Sequence, residues 1–515
     1  MKETIESKVR KANLKGVPII ALSTPDNGDT LRKIISVFQD EVTAIVTWDI
    51  MRGIRGVNSA GWEFTSKKIE EGYGKGNPLQ AIEVAESMPD LSVLIALNFN
   101  NYICSTGNPD PRVIQSMQNV RDNLSQSGTS LVMLGNEFDD MVDEISGDVI
   151  RYDESPPGRD EIEAALMSLY DDIEDGIKDQ REDADFELTR PSGAEREGLV
   201  SAALGLPKTF MVEQAMSLSV TKEGQVNEAS LWKYKDAMLN SVSGLSVYRS
   251  KESFADLGGL DVAKEHFRNM VGGRGRPSAF FWIDEPEKSG LTSTEDTSGV
   301  NKDQLGTALK LMEDFNWRGI VFLGLPGVAK SQFCKCLNGE FGIPVLAGDL
   351  GACKHELVGR SERNIRKMFN TVHRVGDENV VVILTANSIE ALDDALKSRF
   401  PKMYYFDLPS ASEKAVIWDI QCKRYDINRE QVSAVNDDGW SGRNIKNCCR
   451  DAWESERQLS ESSIEIVPEA VNSRQKIEKI RGYANLTMLS ASYPGLYDSR
   501  RSSQEAEGRS ISFDN

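Results

Sequence analysis

Short apolar runs alternate with segments of helical period along the first 155 residues of this 515-residue chain. The runs cover residues 17–20, 42–48, 91–97, 129–134 and 148–152. An alternation of strands and helices is typical of an α/β domain built on a parallel sheet. The turns after these runs hold neither a Gly-Lys-Ser/Thr sequence nor a pair of carboxylates. We therefore predict a degenerate P-loop-like α/β domain over residues 1–155, with a structural or partner-binding role rather than an active site.

The same alternation returns in residues 250–409. Five apolar runs there supply the strands of a second parallel sheet, at residues 279–284, 319–324, 343–348, 379–385 and 403–408. Between the two sheets, the polar residues 156–249 have helical periodicity and are predicted to form a helical lid and connector. Residues 410–480 predict a second helical lid. The Ser-, Tyr- and Arg-rich residues 481–515 predict a tail that is partly disordered.

The apolar run at residues 320–323 breaks into a glycine-containing loop that leads into a helix-like segment. The loop and the first helical residues are Gly324, Leu325, Pro326, Gly327, Val328, Ala329, Lys330, Ser331 and Gln332. Such glycines let backbone N–H groups close around phosphates, and the helix N-terminus attracts negative charge. We expect Lys330 to neutralise phosphate charge and Ser331 to ligate magnesium. Ala329 stands where the pattern expects its last glycine, and a Gly/Pro turn followed by a chance Lys-Ser pair is the plainer alternative.

Hydrolysis of ATP in such a loop also requires a carboxylate on magnesium and a second one that polarises water. No apolar run after Lys330 ends in adjacent carboxylates, but the earlier run at residues 279–283 ends in Asp284 and Glu285. We predict that the strand with these acids, and its following helix, has been transposed to the front of the second core. Asp349, which follows a later run, is the rival magnesium ligand. A surface Asp-Glu pair on an N-terminal extension is the alternative interpretation.

The formal net charge of −20 at pH 7 limits the classes of partner that the chain is expected to bind. It argues against a protein that wraps duplex DNA, because phosphate neutralisation needs a basic face. Much of the acid lies in residues 137–187, which predicts a solvated connector or, alternatively, a docking surface for a basic partner. The chain has neither a signal-peptide pattern at its start nor an apolar run of the roughly 18–20 residues that span a membrane. The seven cysteines and three histidines are scattered along the chain. They lack the spacing of a zinc site or of a disulfide framework. We predict a cytoplasmic protein with no membrane partner.

Taken together, these motifs resemble those of the AAA+ ATPases. More closely, the chain is similar to the two-domain AAA proteins of cyanobacteria and red-algal chloroplasts and to their phage relatives. The resemblance covers nearly the whole chain and rests, besides the phosphate loop, on residues 46–49, 257–261, 282–285, 297–300 and 305–307. It implies an AAA+ core with a helical lid, ATP and Mg²⁺ as cofactors, and a location in the cytoplasm, that of the host if the chain is phage-encoded.

The resemblance also implies roles for individual residues. Leu257 and Gly258 would pack on the adenine. Asp284 would hold magnesium, and Glu285 would orient and activate the hydrolytic water. Asn387, at the end of its strand, would be sensor 1 and bond to the γ-phosphate or to that water; a strand-end cap is the alternative interpretation.

Two arginines complete the implied site. Arg399 matches the arginine finger, which reaches the γ-phosphate of the neighbouring protomer in a ring, and a plain surface arginine is its alternative. Arg443 falls close to the sensor 2 motif of the lid, and residues 359–362 match the start of the second core helix. The chain departs from the family pattern at Ala329, although MoxR-type AAA proteins have a similar loop. It also lacks the substrate-gripping aromatic at residues 356–357.

We therefore predict a Mg²⁺-dependent ATPase that acts as a macromolecular remodeller or regulator and assembles as a homo-oligomer, either a ring or a transient one. The identity of its protein partner or substrate is not predicted. One alternative is a nucleotide-binding scaffold that does not hydrolyse ATP. Another is a replication loader or motor of phage type. Nucleic acid is the less favoured partner, since only the basic residues 268–276 and 360–367 support it.

Overall fold

The computed structural model describes residues 4–39, 41–73, 76–105, 107–154, 157–180, 189–206, 209–286, 300–353, 360–376, 379–388 and 394–500. The chain divides into two compact units. The first comprises Met1–Ala165 with Pro207–Val212, and the second comprises Leu166–Leu206 with Glu213–Asn515. Residues 297–299 and 356–359, which the sequence analysis used, lie outside the described residues.

The first unit is a six-stranded sheet covered by helices. Its strands are β1 (Ile19–Ser23), β2 (Ile45–Asp49), β3 (Gly53–Gly56), β4 (Val93–Leu97), β5 (Ser130–Gly135) and β6 (Ile150–Asp153). Its helices are α1 (Ile5–Leu14), α2 (Asn27–Phe38), α3 (Ser59–Glu70), α4 (Pro78–Glu86), α5 (Asn100–Ile103), α6 (Pro111–Ser127) and α7 (Asp143–Ser146). The strand order is β3-β2-β4-β5-β1-β6. The predicted parallel pairing holds for the five strands read from the sequence, and β3 adds an antiparallel hairpin with β2.

Burial on both faces explains why the central strands β1, β4 and β5 of the first unit are continuous apolar runs. In β1, Ile19 and Ala21 pack into one hydrophobic cluster, whereas Ile20 and Leu22 pack into another on the opposite face. Successive side chains of a strand point to opposite faces, so a strand between two helical layers needs apolar residues at every position.

Several helices follow the first sheet. They are α8 (Arg159–Gln180), α9 (Gly193–Ala203), α10 (Thr209–Leu218) and α11 (Glu228–Leu239). Residues 156–249 were predicted as wholly helical, but β7 (Leu245–Tyr248) is a strand that pairs with the sheet of the second unit. At four residues this strand is too short for a period-2 pattern to reveal it.

The second unit is built on a seven-stranded sheet. Besides β7, its strands are β8 (Ala279–Asp284), β9 (Arg318–Gly324), β10 (Val345–Gly348), β11 (Val380–Ala386), β12 (Lys402–Phe406) and β13 (Leu489–Ser490). The order is β13-β12-β9-β11-β8-β10-β7, and all pairs are parallel except β10 with β7. The five predicted strands are therefore all present in one parallel sheet. Strand β8 precedes β9 in the chain but lies between β10 and β11, with Trp282 opposite both Ala347 and Ile383.

Helices on both sides of this sheet complete the unit. The core helices are α12 (Asp261–Gly272), α13 (Val300–Asp314), α14 (Lys330–Phe341), α15 (Arg360–Gly376) and α16 (Asp394–Arg399). The lid helices are α17 (Ala411–Arg424), α18 (Gly442–Glu454), α19 (Leu459–Ser462), α20 (Glu469–Asn472) and α21 (Arg474–Ala484). A small separate cluster that includes Trp418, Trp440 and Ile445 forms the core of the lid. Among the described helices, none is long and apolar enough to cross a membrane.

Residues 481–500 are packed, although they belong to the segment predicted as a partly disordered tail. Tyr497 is 1% exposed, and its hydroxyl donates to Asp407 Oδ2 at 2.7 Å. Arg481 donates to Oδ1 of the same carboxylate at 2.8 Å. The disorder was predicted for residues 500–515, and the sequence did not reveal the packing of residues 481–499 because the buried tyrosine finds its partner on a distant strand end. Residues 501–515 of the predicted tail lie outside the described residues.

Candidate active site

Two glycines shape the loop between β9 and α14. A Cβ on Gly324 would lie 2.3 Å from the carbonyl oxygen of Phe406 on the neighbouring strand. Gly327 has φ +88°, and a Cβ there would lie 2.9 Å from Ser441 Oγ and 3.0 Å from Arg443 Cβ. The loop is therefore packed directly against the adjacent strand and against the start of the lid helix α18, with no room for a side chain at either position.

Ala329 adopts the left-handed conformation that the missing glycine would favour, with φ +70° and ψ 15°. It is the N-cap of α14, and among the described residues no side chain caps this helix. The first N–H groups of a helix have no partner inside the helix, and they carry partial positive charge. The start of α14 could thus hold an anionic group.

Lys330 is 4% exposed and bonds to its own loop. Its Nζ donates to the carbonyl oxygens of Gly324 at 2.8 Å and Leu325 at 2.7 Å, and to Asn387 Oδ1 at 2.7 Å. Asn387 follows β11 and is 8% exposed. The structure therefore brings together the predicted phosphate-binding lysine and the predicted sensor 1 residue, which are 57 positions apart in the chain.

The two predicted magnesium ligands are also adjacent. Ser331 Oγ donates to Asp284 Oδ1 at 2.9 Å, and Thr385 Oγ1 donates to the same oxygen at 2.6 Å. Among the described residues no group of three His, Cys, Asp or Glu side chains converges on a metal site. One carboxylate and one hydroxyl fit Mg²⁺, which takes oxygen ligands and usually keeps several waters. Thr385 was not predicted as a site residue, although it lies on β11 only two residues before Asn387.

Glu285 leaves the strand at an unusual backbone angle. Its φ is +43°, and its backbone N–H donates to the carbonyl oxygen of Thr385 at 3.0 Å. A non-glycine residue in this region is strained by about 1–3 kcal/mol, and such strain clusters at functional sites. The turn directs Glu285 to the cavity beside the loop, where it is one of the lining residues.

A cavity of about 380 Å³ lies over the loop between the core and the lid. The predicted site residues that line it are Leu257, Gly258, Glu285, Pro326, Gly327, Ala329, Lys330, Ser331, Gln332 and Arg443. The side chains of Leu325 and Val328 pack into the hydrophobic core instead, at 1% and 4% exposure. Their contribution to a site is therefore limited to the backbone.

The lid forms the opposite wall of this cavity. A Cβ on Gly258 would lie 2.5 Å from Ile417 Cγ1 of α17. Leu257 is held by Lys264, whose Nζ donates to its carbonyl oxygen at 2.6 Å. Burial lowers the pKa of Lys264. The backbone N–H of Arg443 donates to the carbonyl oxygen of Gly327 at 3.3 Å, which ties the lid to the phosphate loop.

The cavity is positively charged although the chain is acidic. Its cationic lining residues are Lys330, Lys335, Arg424, Arg443, Lys446 and Arg450, against the carboxylates of Asp256 and Glu285. A cleft lined by one sign of charge raises the local concentration of ligands of the opposite sign. Four of these cations, namely Lys335, Arg424, Lys446 and Arg450, were not predicted from the sequence. The spacing of positions 443, 446 and 450, which places them on one face of a helix, was the signal that could have found two of them.

Five further candidate residues are not part of the cavity lining, namely Gly324, Asp284, Asn387, Arg399 and Asp349. The described bonds of Gly324, Asp284 and Asn387 are to residues of the phosphate loop or its neighbouring strands, whereas Arg399 and Asp349 bond elsewhere. Arg399, at the end of α16, donates to Glu313 Oε2 of α13 at 2.5 Å, and its side chain is 32% exposed. Asp349, the rival magnesium ligand, closes a turn after β10 by accepting the N–H groups of Gly351 at 2.8 Å and Ala352 at 3.2 Å. The described contacts therefore place Asp284, and not Asp349, beside Ser331.

The cysteine nearest to the acid pair is a packing residue. Burial raises the pKa of the Cys334 thiol well above its ordinary value, and the nearby charge of Asp284 raises it further. The thiol is thus neutral at physiological pH, and it behaves as a small apolar group in α14.

Comparison with known proteins finds similarity to AAA proteins. A family profile described as SpoVK-like AAA ATPase, N-terminal domain, matches residues 11–153. The chain is 20% identical over 533 aligned residues to the AAA domain-containing protein ycf46 of Pyropia yezoensis, with 91% of this chain and 95% of that protein covered. The ycf46 protein of Guillardia theta is 19% identical, with 91% and 92% covered. Fidgetin-like protein 1 of Xenopus tropicalis is 22% identical over 182 residues, 26% of this chain and 28% of that protein.

These similarities cover both halves of the molecule. The family profile falls within the first unit, whose described turns hold no phosphate loop. The ycf46 similarity extends over nearly the whole chain, including the second unit with its loop, cavity and lid. The similarities support a two-domain AAA+ protein, with a phosphate-loop core preceded by an AAA-like N-terminal domain.

Proposed function

We propose that the second unit binds ATP with Mg²⁺ and hydrolyses it, and that the protein uses this cycle to remodel or regulate a macromolecule. One observation carries the proposal. At the loop after β9 and the neighbouring ends of β8 and β11, Lys330 donates to Asn387, while Ser331 and Thr385 both donate to Asp284. Ligands of parallel α/β sheets bind at this carboxyl edge.

Lys330 and the start of α14 would hold the phosphates. The Nζ of Lys330 already has three oxygen acceptors, at 2.7–2.8 Å. A buried ammonium group must keep its hydrogen bonds, so phosphate oxygens would replace loop carbonyls rather than meet an unsatisfied charge. The exchange keeps Lys330 bonded both with and without nucleotide.

Asp284 and Ser331 would hold Mg²⁺, which supplies charge neutralisation on the phosphates. Thr385 would fix the orientation of the Asp284 carboxylate, since its hydroxyl donates to Oδ1. Glu285 would accept a proton from the water that attacks the γ-phosphorus, while the bond to the oxygen of the departing ADP breaks. Asn387 would orient that water or bind a γ-phosphate oxygen.

The position of β8 supports the transposition predicted from the sequence. This strand comes before the phosphate-loop strand in the chain, yet β11 pairs with both of them in parallel. The end of β8 is thereby placed across β11 from the loop, within hydrogen-bonding reach of Ser331. A sheet depends on the spatial order of its strands and not on their order in the chain. The acid pair can therefore lie beside the phosphate loop whether its strand comes before or after the loop in the sequence.

The deciding experiment is Mg²⁺-dependent phosphate release from ATP by the full chain. Asp284→Asn should reduce turnover by about 10²-fold or more, because it removes the charged magnesium ligand. Asp349→Asn is the matched control, since it also removes one carboxylate at a strand end, and it should keep turnover within about twofold. Equal losses in both variants, or no loss in Asp284→Asn, would contradict the assignment.

A second candidate is a scaffold that binds ATP without hydrolysing it, and the departure at Ala329 favours it. Glu285→Gln separates the two functions. In an ATPase this variant should retain ATP binding and lose phosphate release. In a scaffold, wild type and variant should both bind ATP and release no phosphate.

We further propose that Arg399 acts on the nucleotide of a neighbouring protomer in a homo-oligomer. Within one chain it pairs with Glu313 and lies outside the cavity lining. Specific activity that rises with protein concentration in wild type, and stays flat in Arg399→Ala, would support this role. A concentration-independent wild-type activity would contradict it.

A further inference from the structure

Part of the cavity lining has the composition of a base-binding slot. Leu257, Gly258, Ile417 and Ile420 line it, together with the polar side chain of Gln421. Apolar side chains and a bare glycine backbone suit the flat faces of a heterocyclic base. A few polar groups in such an apolar pocket set the orientation and the identity of the ligand.

Gln421 is the polar group that the packing does not explain. It lies on the lid helix α17 and is 8% exposed. In the part of the chain that the structure describes, its buried Oε1 has no hydrogen-bond partner. Buried amide oxygens are almost always bonded, so a buried glutamine without a partner needs a reason.

Rotation of the terminal amide is the step that brings it to a ligand. The last torsion of a glutamine side chain is soft, so the amide can turn towards the cavity with little change elsewhere. A glutamine amide offers one acceptor and one donor group side by side. Adenine presents the complementary pair, since its exocyclic amino group donates and the adjacent ring nitrogen accepts.

We propose that Gln421 recognises the adenine base of the nucleotide and so makes the site selective for adenine over hypoxanthine and guanine nucleotides. The proposal rests on the nucleotide binding proposed above and adds a residue that determines its specificity. A base that carries a carbonyl in place of the amino group brings a second acceptor to Oε1, so the buried oxygen stays without a hydrogen bond. A site built around a buried hydrogen bond rejects analogues that lack it more strongly than an apolar pocket does.

The test is equilibrium binding of ATP, ITP and GTP with Mg²⁺ to the full chain, by calorimetry. ITP differs from adenine nucleotides at the exocyclic position of the six-membered ring and keeps the triphosphate. Wild type should bind ATP about 10-fold or more tightly than ITP and GTP. Gln421→Leu should lose about 10-fold in ATP affinity and leave ITP affinity within about twofold, which removes the preference.

Two further variants distinguish a loss of base recognition from a general loss of folding. Lys423→Leu, an exposed position on the same helix, should bind all three nucleotides as wild type does. Gln421→Glu retains an acceptor for the amino group and should keep part of the ATP preference. An unchanged ATP preference in Gln421→Leu overturns this inference while the nucleotide site stands. Failure of wild type to bind any of the three nucleotides overturns the proposed function and this inference with it.

Discussion

Each unit turns from a strand into a helix at the carboxyl edge of its sheet, and the two turns satisfy the helix N-terminus differently. In the first unit the turn joins β1 to α2. Asp26 caps α2, and its Oδ1 accepts the N–H groups of Gly28 at 3.1 Å and Asp29 at 3.2 Å. The negative charge that a helix N-terminus attracts is therefore already supplied by the chain itself.

A second carboxylate completes this turn of the first unit. Glu154, whose side chain is 10% exposed, accepts the hydroxyls of Thr24 and Thr30 at 2.5 Å each. Lys33 contacts the same carboxylate at 3.4 Å and Asp29 at 2.8 Å. The hydroxyls and the lysine at this turn are thus engaged with internal acids.

The β9–α14 turn of the second unit is the opposite case. Its N-cap is Ala329, and no described side chain caps α14. The lysine at this turn bonds to neutral carbonyl and amide oxygens rather than to a carboxylate. A turn that contains its own anions excludes a phosphate, whereas a turn that holds only neutral acceptors leaves the positive end of the helix available for one.

The largest expected effect comes from exchanging the lysines of the two turns for alanine. Lys330→Ala should lower ATP turnover by about 10²- to 10³-fold, because it removes a preorganised positive charge from the phosphates. Lys33→Ala removes the corresponding charge in the first unit and should leave turnover within about twofold. Phosphate release by the two variants at saturating ATP measures the contrast. A comparable loss in Lys33→Ala would mean that the first unit also takes part in hydrolysis.

The carboxylate of the first turn is expected to serve stability and not activity. Glu154→Gln should destabilise the first unit by about 2 kcal/mol, since it weakens charge-assisted hydrogen bonds to two buried hydroxyls. Hydrogen exchange of the full chain should show faster exchange in α2 and unchanged exchange in α14. If Glu154→Gln created a nucleotide site or reduced ATP turnover, the two turns would be more alike than the structure indicates.

The next largest effect is expected from a substitution that makes the phosphate loop clash with the lid. Gly327→Ala should lower ATP affinity by about 10-fold, because its Cβ would meet Ser441 and Arg443 in addition to the strain of a positive φ. Gly16→Ala is the matched control, since Gly16 has φ +72° with no atom within 4 Å of its Cβ position. Its cost should be confined to about 1 kcal/mol of stability. Titration with ATP and thermal unfolding of both variants separate the clash from the strain.

The smallest effect concerns the departure from the usual loop sequence. Ala329→Gly relieves the left-handed strain of alanine, worth about 1–2 kcal/mol. It also adds freedom to the unfolded chain, which costs about 0.5–1 kcal/mol. The net change should be a stabilisation of about 1 kcal/mol or less with ATP turnover retained, as measured by denaturant unfolding and phosphate release. A large drop in turnover would show that the Ala329 methyl group itself contributes to the site.

The sequence by itself determined the features that local physical chemistry encodes. Continuous apolar runs specify strands buried on both faces, so both parallel sheets could be predicted. The Gly324–Ser331 loop could be found because its chemistry lies in consecutive residues. The adjacent acids Asp284 and Glu285 could be identified because they end such a run, and the strand count led to the prediction that their strand is transposed.

Only the tertiary structure decided the rest, because it depends on residues that are distant in the chain. The edge strands β7 and β13 have four and two residues, and pairing with a neighbour defines them rather than their own periodicity. Thr385 can bond to Asp284 only because β11 lies beside β8. In the sequence, Gln421 and the cations of α17 and α18 look like residues of ordinary amphipathic helices. They are recognised as site residues only because the lid forms one wall of the cavity. Sequence patterns report which face of an element is apolar, whereas the partner on that face is set by how the whole chain packs.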